Sequence, residues 1–409
     1  MAASSSSAPN RWGIFATIPL VSADLPPGAD LSLALAEPPA ISILTLPRRI
    51  SPDPLIDHRN FPSVLAADPS GLFLLHATQG PTDRTAGPVV YGDDLSARKL
   101  VTCRREFVHG YFLCDARSAT AYRLPDPDEP DRILDAGNLG LLTRDGGRTY
   151  LLAEVQPISG SDKAVLLRYS SETGRWTSRD LHYPIGGVVR PWASHGVFSL
   201  GERLWWYDVS WGLLTCLPFE EEPELEFVPI PRTASEKLHS CPCTSRKHIQ
   251  FSACFAISDG VVRFLRIGVP ARPKVVVQRV KRPAQRHGAG KDPWIVMYSL
   301  RFNEDSDSWV WNIDHEVSFE EEIWCHHTYE ASGLPKERPK LACVDPFNAN
   351  LVFFFLGRYI FSIDLTSAAL LKCTRYGVKR PTKEHMSSRY VLACPSSSDD
   401  VAACGARWC

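Results

Sequence analysis

Prolines and glycines punctuate this chain from end to end, 33 and 26 of them in 409 residues. Proline removes a backbone donor and clashes with the preceding turn of a helix, so long uninterrupted helices have no room between these interruptions. What recurs instead is a short apolar run closed by a turn signal, with starts near Gly71, Gly110, Thr149, Gly196, Phe251, Trp294 and Asn350. Their spacing averages about 46 residues, a period in the range of propeller blades rather than of shorter solenoid repeats.

The turns themselves repeat. YDVSWGLLTCLP (Tyr207 to Pro218) and CDARSATAYRLP (Cys114 to Pro125) both place an Asp at the end of a strand, a small-residue turn after it, and Leu-Pro at the end of the next strand. IDLTSAALLKCT, from Ile363, keeps the Asp and the turn, while YSSETGRWTSRD, from Tyr169, keeps the spacing with Ser170 in place of Asp. A second element, AADPSGLFLL from Ala66, resembles CVDPFNANLVFF from Cys343. Asp at a strand end accepts a hydrogen bond from backbone two residues on and so starts a turn. Pro then ends the second strand because it cannot donate to a ladder. The repeated unit is a hairpin. The expectation is an all-β, propeller-like repeat fold of six or seven blades, a single domain over 12–380, with N-terminal strands completing the last blade. Residues 1–11 and the polar tail 381–409 read as disordered.

Trp192 to Pro218 holds four tryptophans and Tyr207. Along a strand, Trp205 and Tyr207 point to one side and Trp206 and Asp208 to the other. Large aromatics on both faces mark a strand buried on both faces, as between neighbouring blades, so the motif reads as core rather than as a ligand platform. Trp211, at the turn, is the aromatic expected to reach solvent.

Composition narrows the function classes. A net charge of −1 gives no overall field drawing the chain to nucleic acid or membrane, and no apolar run approaches the ~20 residues that span a bilayer. The N-terminal MAASSSSAPNRWGIFATIPLVSA is read as a disordered start running into a first strand, not a targeting peptide. Twelve scattered cysteines, with Cys114, Cys216, Cys254 and Cys373 inside apolar runs, read as buried free thiols in a reducing compartment, cytoplasm or nucleus.

Candidates for chemistry are few. Cys241 and Cys243, flanked by His239 and His248, are separated by one residue where structural zinc favours two to four, so a loop between blades is the better account. Cys325, His326 and His327 follow Glu320 to Glu322 and read as a polar surface strand whose adjacent histidines diverge. The basic stretch from Lys274 to Lys291 contains no aromatic residue and reads as a flexible connection, not a nucleic-acid site. Nucleophile elbows, phosphate loops and dinucleotide fingerprints are absent. Asp115 and Asp208 are candidates for a propeller channel, but their place in a repeated turn accounts for them. No catalytic, cofactor or metal residue is expected.

Taken together, FPSVLAADPSGLFLLHATQGP, GYFLCDARSATAYRLPDP, the tryptophan-rich segment and LACVDPFNANLVFFFLGRYIFSID resemble the grass-expanded plant proteins that carry "domain of unknown function sixteen-eighteen". The resemblance runs from about Trp12 to Tyr376 and implies an intracellular plant protein with a propeller related to F-box-associated and kelch-like modules. It implies no reaction and no catalytic residues. The first sixty residues offer no run of amphipathic helices, so an F-box is not expected. The function expected is a monomeric protein-interaction scaffold with an unknown protein partner and no cofactor. The alternatives are a hydrolase with carboxylates in the channel and a metal-dependent regulator using the Cys241 region.

Overall fold

The structure, a computed structural model, describes residues 11–52, 61–85, 105–158, 160–185, 192–231, 249–268, 293–379 and 381–396. Near the N-terminus lie four short strands: β1 (Arg11–Ala16), β2 (Leu20–Ser22), β3 (Ser32–Ala34) and β4 (Ile41–Pro47). Five antiparallel four-stranded meanders follow. Blade 1 is β5 (Ser63–Ala67), β6 (Leu72–Thr85), β7 (Arg105–Asp115) and β8 (Thr120–Arg123). Blade 2 is β9 (Gly140–Arg144), β10 (Thr149–Pro157), β11 (Lys163–Ser170) and β12 (Arg175–His182). Blade 3 is β13 (Gly196–Leu200), β14 (Arg203–Asp208), β15 (Gly212–Cys216) and β16 (Glu226–Pro229). Blade 4 is β17 (Ala253–Ser258), β18 (Val261–Gly268), β19 (Trp294–Asn303) and β20 (Ser308–Ser318). After a helix α1 (His327–Ser332), blade 5 is β21 (Lys340–Asp345), β22 (Asn348–Leu356), β23 (Tyr359–Asp364) and β24 (Ala369–Arg375), and β25 (Val391–Ser396) comes last.

The fold class is all-β and propeller-like, but the blade number is five rather than six or seven. The seven starts read from the sequence fall in five blades because two blades contain two starts each. Gly71 and Gly110 both belong to blade 1, and Phe251 and Trp294 both border strands of blade 4. Long connections, 86–104 and 269–292, part the second and third strands of these two blades and imitate the spacing between blades. The N-terminal strands do not complete the last blade either. They form a mixed sheet in the order β2–β4–β1–β25, with β3 on β4. β1 pairs antiparallel with β25 from Arg11 opposite Ser396 to Ala16 opposite Val391, and runs parallel to β4. β25 lies in the stretch assigned above to a disordered tail, so residues 381–396 belong to the folded unit. The rest of that tail lies outside the described residues.

Apolar side chains on both faces of the sheets explain the ring. Among the described residues, six separate cores fill the spaces between neighbouring sheets. Leu265, Ile295, Phe354 and Phe361 join blades 4 and 5, while Phe15, Leu44, Phe73 and Phe112 join the mixed sheet to blade 1. Ile14, Phe353 and Phe355 join the mixed sheet to blade 5, so this sheet closes the ring. Trp205 packs toward blade 4 with Phe264 and Tyr298, and Trp206 packs toward blade 2 with Leu151 and Leu166. The two rings face opposite ways and both are buried, at 1% and 0% exposure. Trp211 is buried as well, contrary to its expected reach to solvent. It packs between Trp192 and Phe227. Gly212 lets β16 approach β15, since a Cβ there would collide with the Val228 carbonyl.

The turn chemistry is as the repeats imply. The carboxylates of Asp115, Asp208 and Asp364 accept from the backbone N–H of Arg117, Ser210 and Thr366, each two residues on, and the Ser170 hydroxyl accepts from Glu172. The copies are not equivalent in position, however. Asp115, Ser170 and Asp364 end third strands, whereas Asp208 ends a second strand.

Candidate functional site: the axial channel

The first strand of every blade, together with β25, lines one central channel of about 1060 Å³. Side chains of each inner strand alternate between the two faces of its sheet and so enter the cores on either side, leaving the strand's edge toward the axis. Mid-strand the lining is small or apolar, with Ala66, Leu141, Val197, Ala256, Ala342 and Ala393. Polar groups gather at the two mouths.

One mouth lies at the ends of the first strands and carries Asp68 and Asp259. Asp68 accepts from the Ser70 N–H at 2.9 Å and from the Thr143 hydroxyl at 2.8 Å, which ties blade 1 to blade 2. Asp259 accepts from the Ala349 N–H at 3.3 Å, and its own N–H donates to the Pro346 carbonyl, which ties blade 4 to blade 5.

The other mouth lies at the starts of the first strands and carries Asp135, Ser194, His195, Gln250, Ser388 and Arg389. Asp135 caps a 3-10 turn, accepting from the Gly137 N–H at 2.9 Å. His195 Nδ1 accepts from the Val209 N–H at 3.3 Å and stands 3.6 Å from the Asp208 carboxylate. The Ser388 hydroxyl donates to the Gln250 carbonyl at 3.3 Å, which joins β25 to the start of blade 4. Beside these groups Phe198, Tyr207 and Phe255 open onto the channel as an aromatic wedge, with ring centroids 6.0 and 5.5 Å apart. The absence of a Cβ on Gly196 makes room for the Tyr207 hydroxyl. Burial pushes that hydroxyl up to about 12, with the nearby Arg389 opposing the shift.

Sequence reasoning placed no residue here, and the channel explains why. Its polar groups stand just outside strands, on separate turns with no shared spacing, and only ring closure brings them together. Asp115 and Asp208, the acids considered for a channel, are not among its lining residues. Cys325, His326 and His327 form no strand. His326 caps α1, its Nδ1 accepting from the Thr328 N–H. Among the described residues no group of three or more metal-ligating side chains occurs, and Cys241, Cys243, His239, His248 and the Lys274 to Lys291 stretch lie outside them. Of the four cysteines read as buried, Cys114, Cys216 and Cys254 are so and Cys373 is exposed. Burial pushes the thiols of Cys114, Cys216 and Cys254 up to about 12, so they stay protonated and unreactive. No helix among the described residues is long and apolar enough to cross a membrane.

Against solved structures the chain is similar to the β-propeller domain of Cps50 (Swd1) from Myceliophteria thermophila, at 8% identity over 80% of this chain and 90% of that one, with a TM-score of 0.34. It is similar to apo AztD from Citrobacter koseri, at 13% identity over 76% and 73%, TM-score 0.30. It is also similar to an alpha-L-arabinanase from Penicillium chrysogenum, at 11% identity over 81% and 86%, TM-score 0.34. Likeness at this level extends to neither activity nor ligand. No curated protein matches the sequence. From β14 to β22, residues 206–353, the chain matches the family described as "Protein of unknown function (DUF1618)".

Proposed function

We propose that this chain is a non-catalytic protein-interaction scaffold whose partner engages the axial channel at the mouth formed by Ser194, His195, Gln250 and Arg389. One observation carries the reading: each of the three carboxylates among the described lining residues, Asp68, Asp135 and Asp259, already accepts a hydrogen bond from a backbone N–H. Acid–base chemistry needs groups free to exchange protons with a substrate, and these hold the blade connections instead. A concave site with convergent polar groups on rigid strands still suits recognition. In this reading the protein works as a monomer in the cytoplasm or nucleus, binds no nucleic acid, and shares its kinship with F-box-associated and kelch-like plant propellers.

Photo-crosslinking tests the proposal. A photoreactive residue placed at Ser194 captures a discrete protein in cell extract, and the same residue at Thr177 on outer strand β12 does not. Capture from the outer strand alone overturns it. The hydrolase reading stands second because three carboxylates do line one channel. Turnover of aryl ester or glycoside substrates by the purified chain, abolished by Asp135→Asn, would replace the scaffold reading with it.

A further inference from the structure

Three side chains at the same mouth make no hydrogen bond or ion pair among the described residues. Gln250 is buried, at 8% exposure, and lines the channel, yet its carboxamide makes no hydrogen bond while its backbone carbonyl does. A carboxamide that lines a cavity without a protein partner leaves both its donor and its acceptor open to a ligand. Arg389 lines the mouth and is exposed, with its guanidinium 5.8 Å from the Tyr390 ring centroid and near the Tyr207 hydroxyl. Among the described residues no ion pair engages it, although Asp135 stands at the same mouth. The Tyr207 hydroxyl is the third: it opens on the channel with no hydrogen-bond partner, on the aromatic wedge with Phe198 and Phe255.

The chemistry of these groups selects a ligand. A carboxamide offers one donor edge and one acceptor edge, the complement of a peptide bond. A guanidinium offers a planar fork that matches a carboxylate. Among the described lining residues Arg389 is the one Lys or Arg, which suits a monoanion, whereas the phosphate dianion calls for more cations. An aromatic wedge beside them accepts an apolar side chain. We infer that the channel mouth binds a polypeptide C-terminus, with the terminal carboxylate on Arg389, the last peptide bond on Gln250, and an apolar final side chain against Phe198, Tyr207 and Phe255. The inference rests on the scaffold reading and names what the partner inserts.

Fluorescence polarisation with fluorescein-labelled hexapeptide pools tests it, the pools being randomised except for a final Leu, Ile or Phe. The free-acid pool binds the full chain, and the matched C-terminal carboxamide pool binds at least tenfold more weakly. Arg389→Ala removes the difference between the pools, Arg389→Lys restores part of it, and Gln250→Leu weakens both. Unchanged thermal melting of the variants shows that folding is not the cause. Equal binding of the two pools overturns the inference, as does an acid preference that survives Arg389→Ala. Failure of both pools alongside specific crosslinking at Ser194 sinks the C-terminus and leaves the scaffold standing. N-acetyl-leucine competing as strongly as the pool keeps the carboxylate–amide chemistry and instead sinks the protein partner.

Discussion

At the scale of single residues, the histidine pair on blade 1 gives the sharpest consequence. His76 Nε2 and His109 Nδ1 are 2.8 Å apart with their rings stacked, and the Tyr111 ring lies beside His76. One hydrogen fits between the two nitrogens, so double protonation breaks the bond. Burial, with His109 adding to it, pulls His76 down to about 4. A histidine with its folded value below its unfolded one binds a proton more readily in the unfolded chain. Stability is therefore unaffected above about pH 6.5 and falls as pH is lowered from there toward about 4, by about 3 kcal/mol. Urea midpoints measured from pH 7 to pH 4 should fall for the wild type, and His76→Gln should flatten the slope. An identical slope in the variant removes His76 from the account. Nothing in the sequence around His76 and His109 disclosed this pair, because β6 and β7 meet only after the long 86–104 connection.

At the scale of elements, the two adjacent tryptophans of β14 do different jobs. Trp206 donates its indole N–H to the Asn138 carbonyl at 2.8 Å, across to the turn before β9, while the buried Trp205 indole N–H has no partner. Trp206→Phe loses packing and also strands a buried carbonyl, and Trp205→Phe removes a donor that was already unsatisfied. Chemical denaturation should show the Trp206→Phe variant losing more stability than Trp205→Phe. Truncation of either to Ala should cost about 3–5 kcal/mol. A reversed order, or a Trp206→Ala variant that melts with the wild type, would contradict these roles. The burial of both tryptophans was legible because strand alternation is local and WW admits no other strand geometry. The Asp turns were legible for the same reason. Blade number was not: counting apolar starts cannot tell a strand that opens a blade from one resumed after a long connection. The channel mouth escaped too, since Gln250, Arg389 and Ser194 sit on turns that share no pattern.

At the scale of the whole molecule, closure decides whether the channel exists. Five meanders alone leave an open arc, and the mixed sheet fills the gap by pairing residues 11–16 with 391–396. β25 also supplies part of the channel wall, and the turn before it brings Ser388 and Arg389 to the mouth. The polar composition of residues 381–409 concealed this strand. VLAC at Val391 is too short to stand out, and its partner lies at the opposite end of the chain. Joining the two chain ends makes unfolding of any one sheet expose two apolar cores, so the ring should open as one cooperative unit. Native-state hydrogen exchange measures this directly. The amides of Val391 to Cys394 that pair with β1 should exchange as slowly as those of β5 and β21, all through the same global opening. Exchange of that segment within seconds, while β5 and β21 stay protected, would contradict a ring closed by the chain ends.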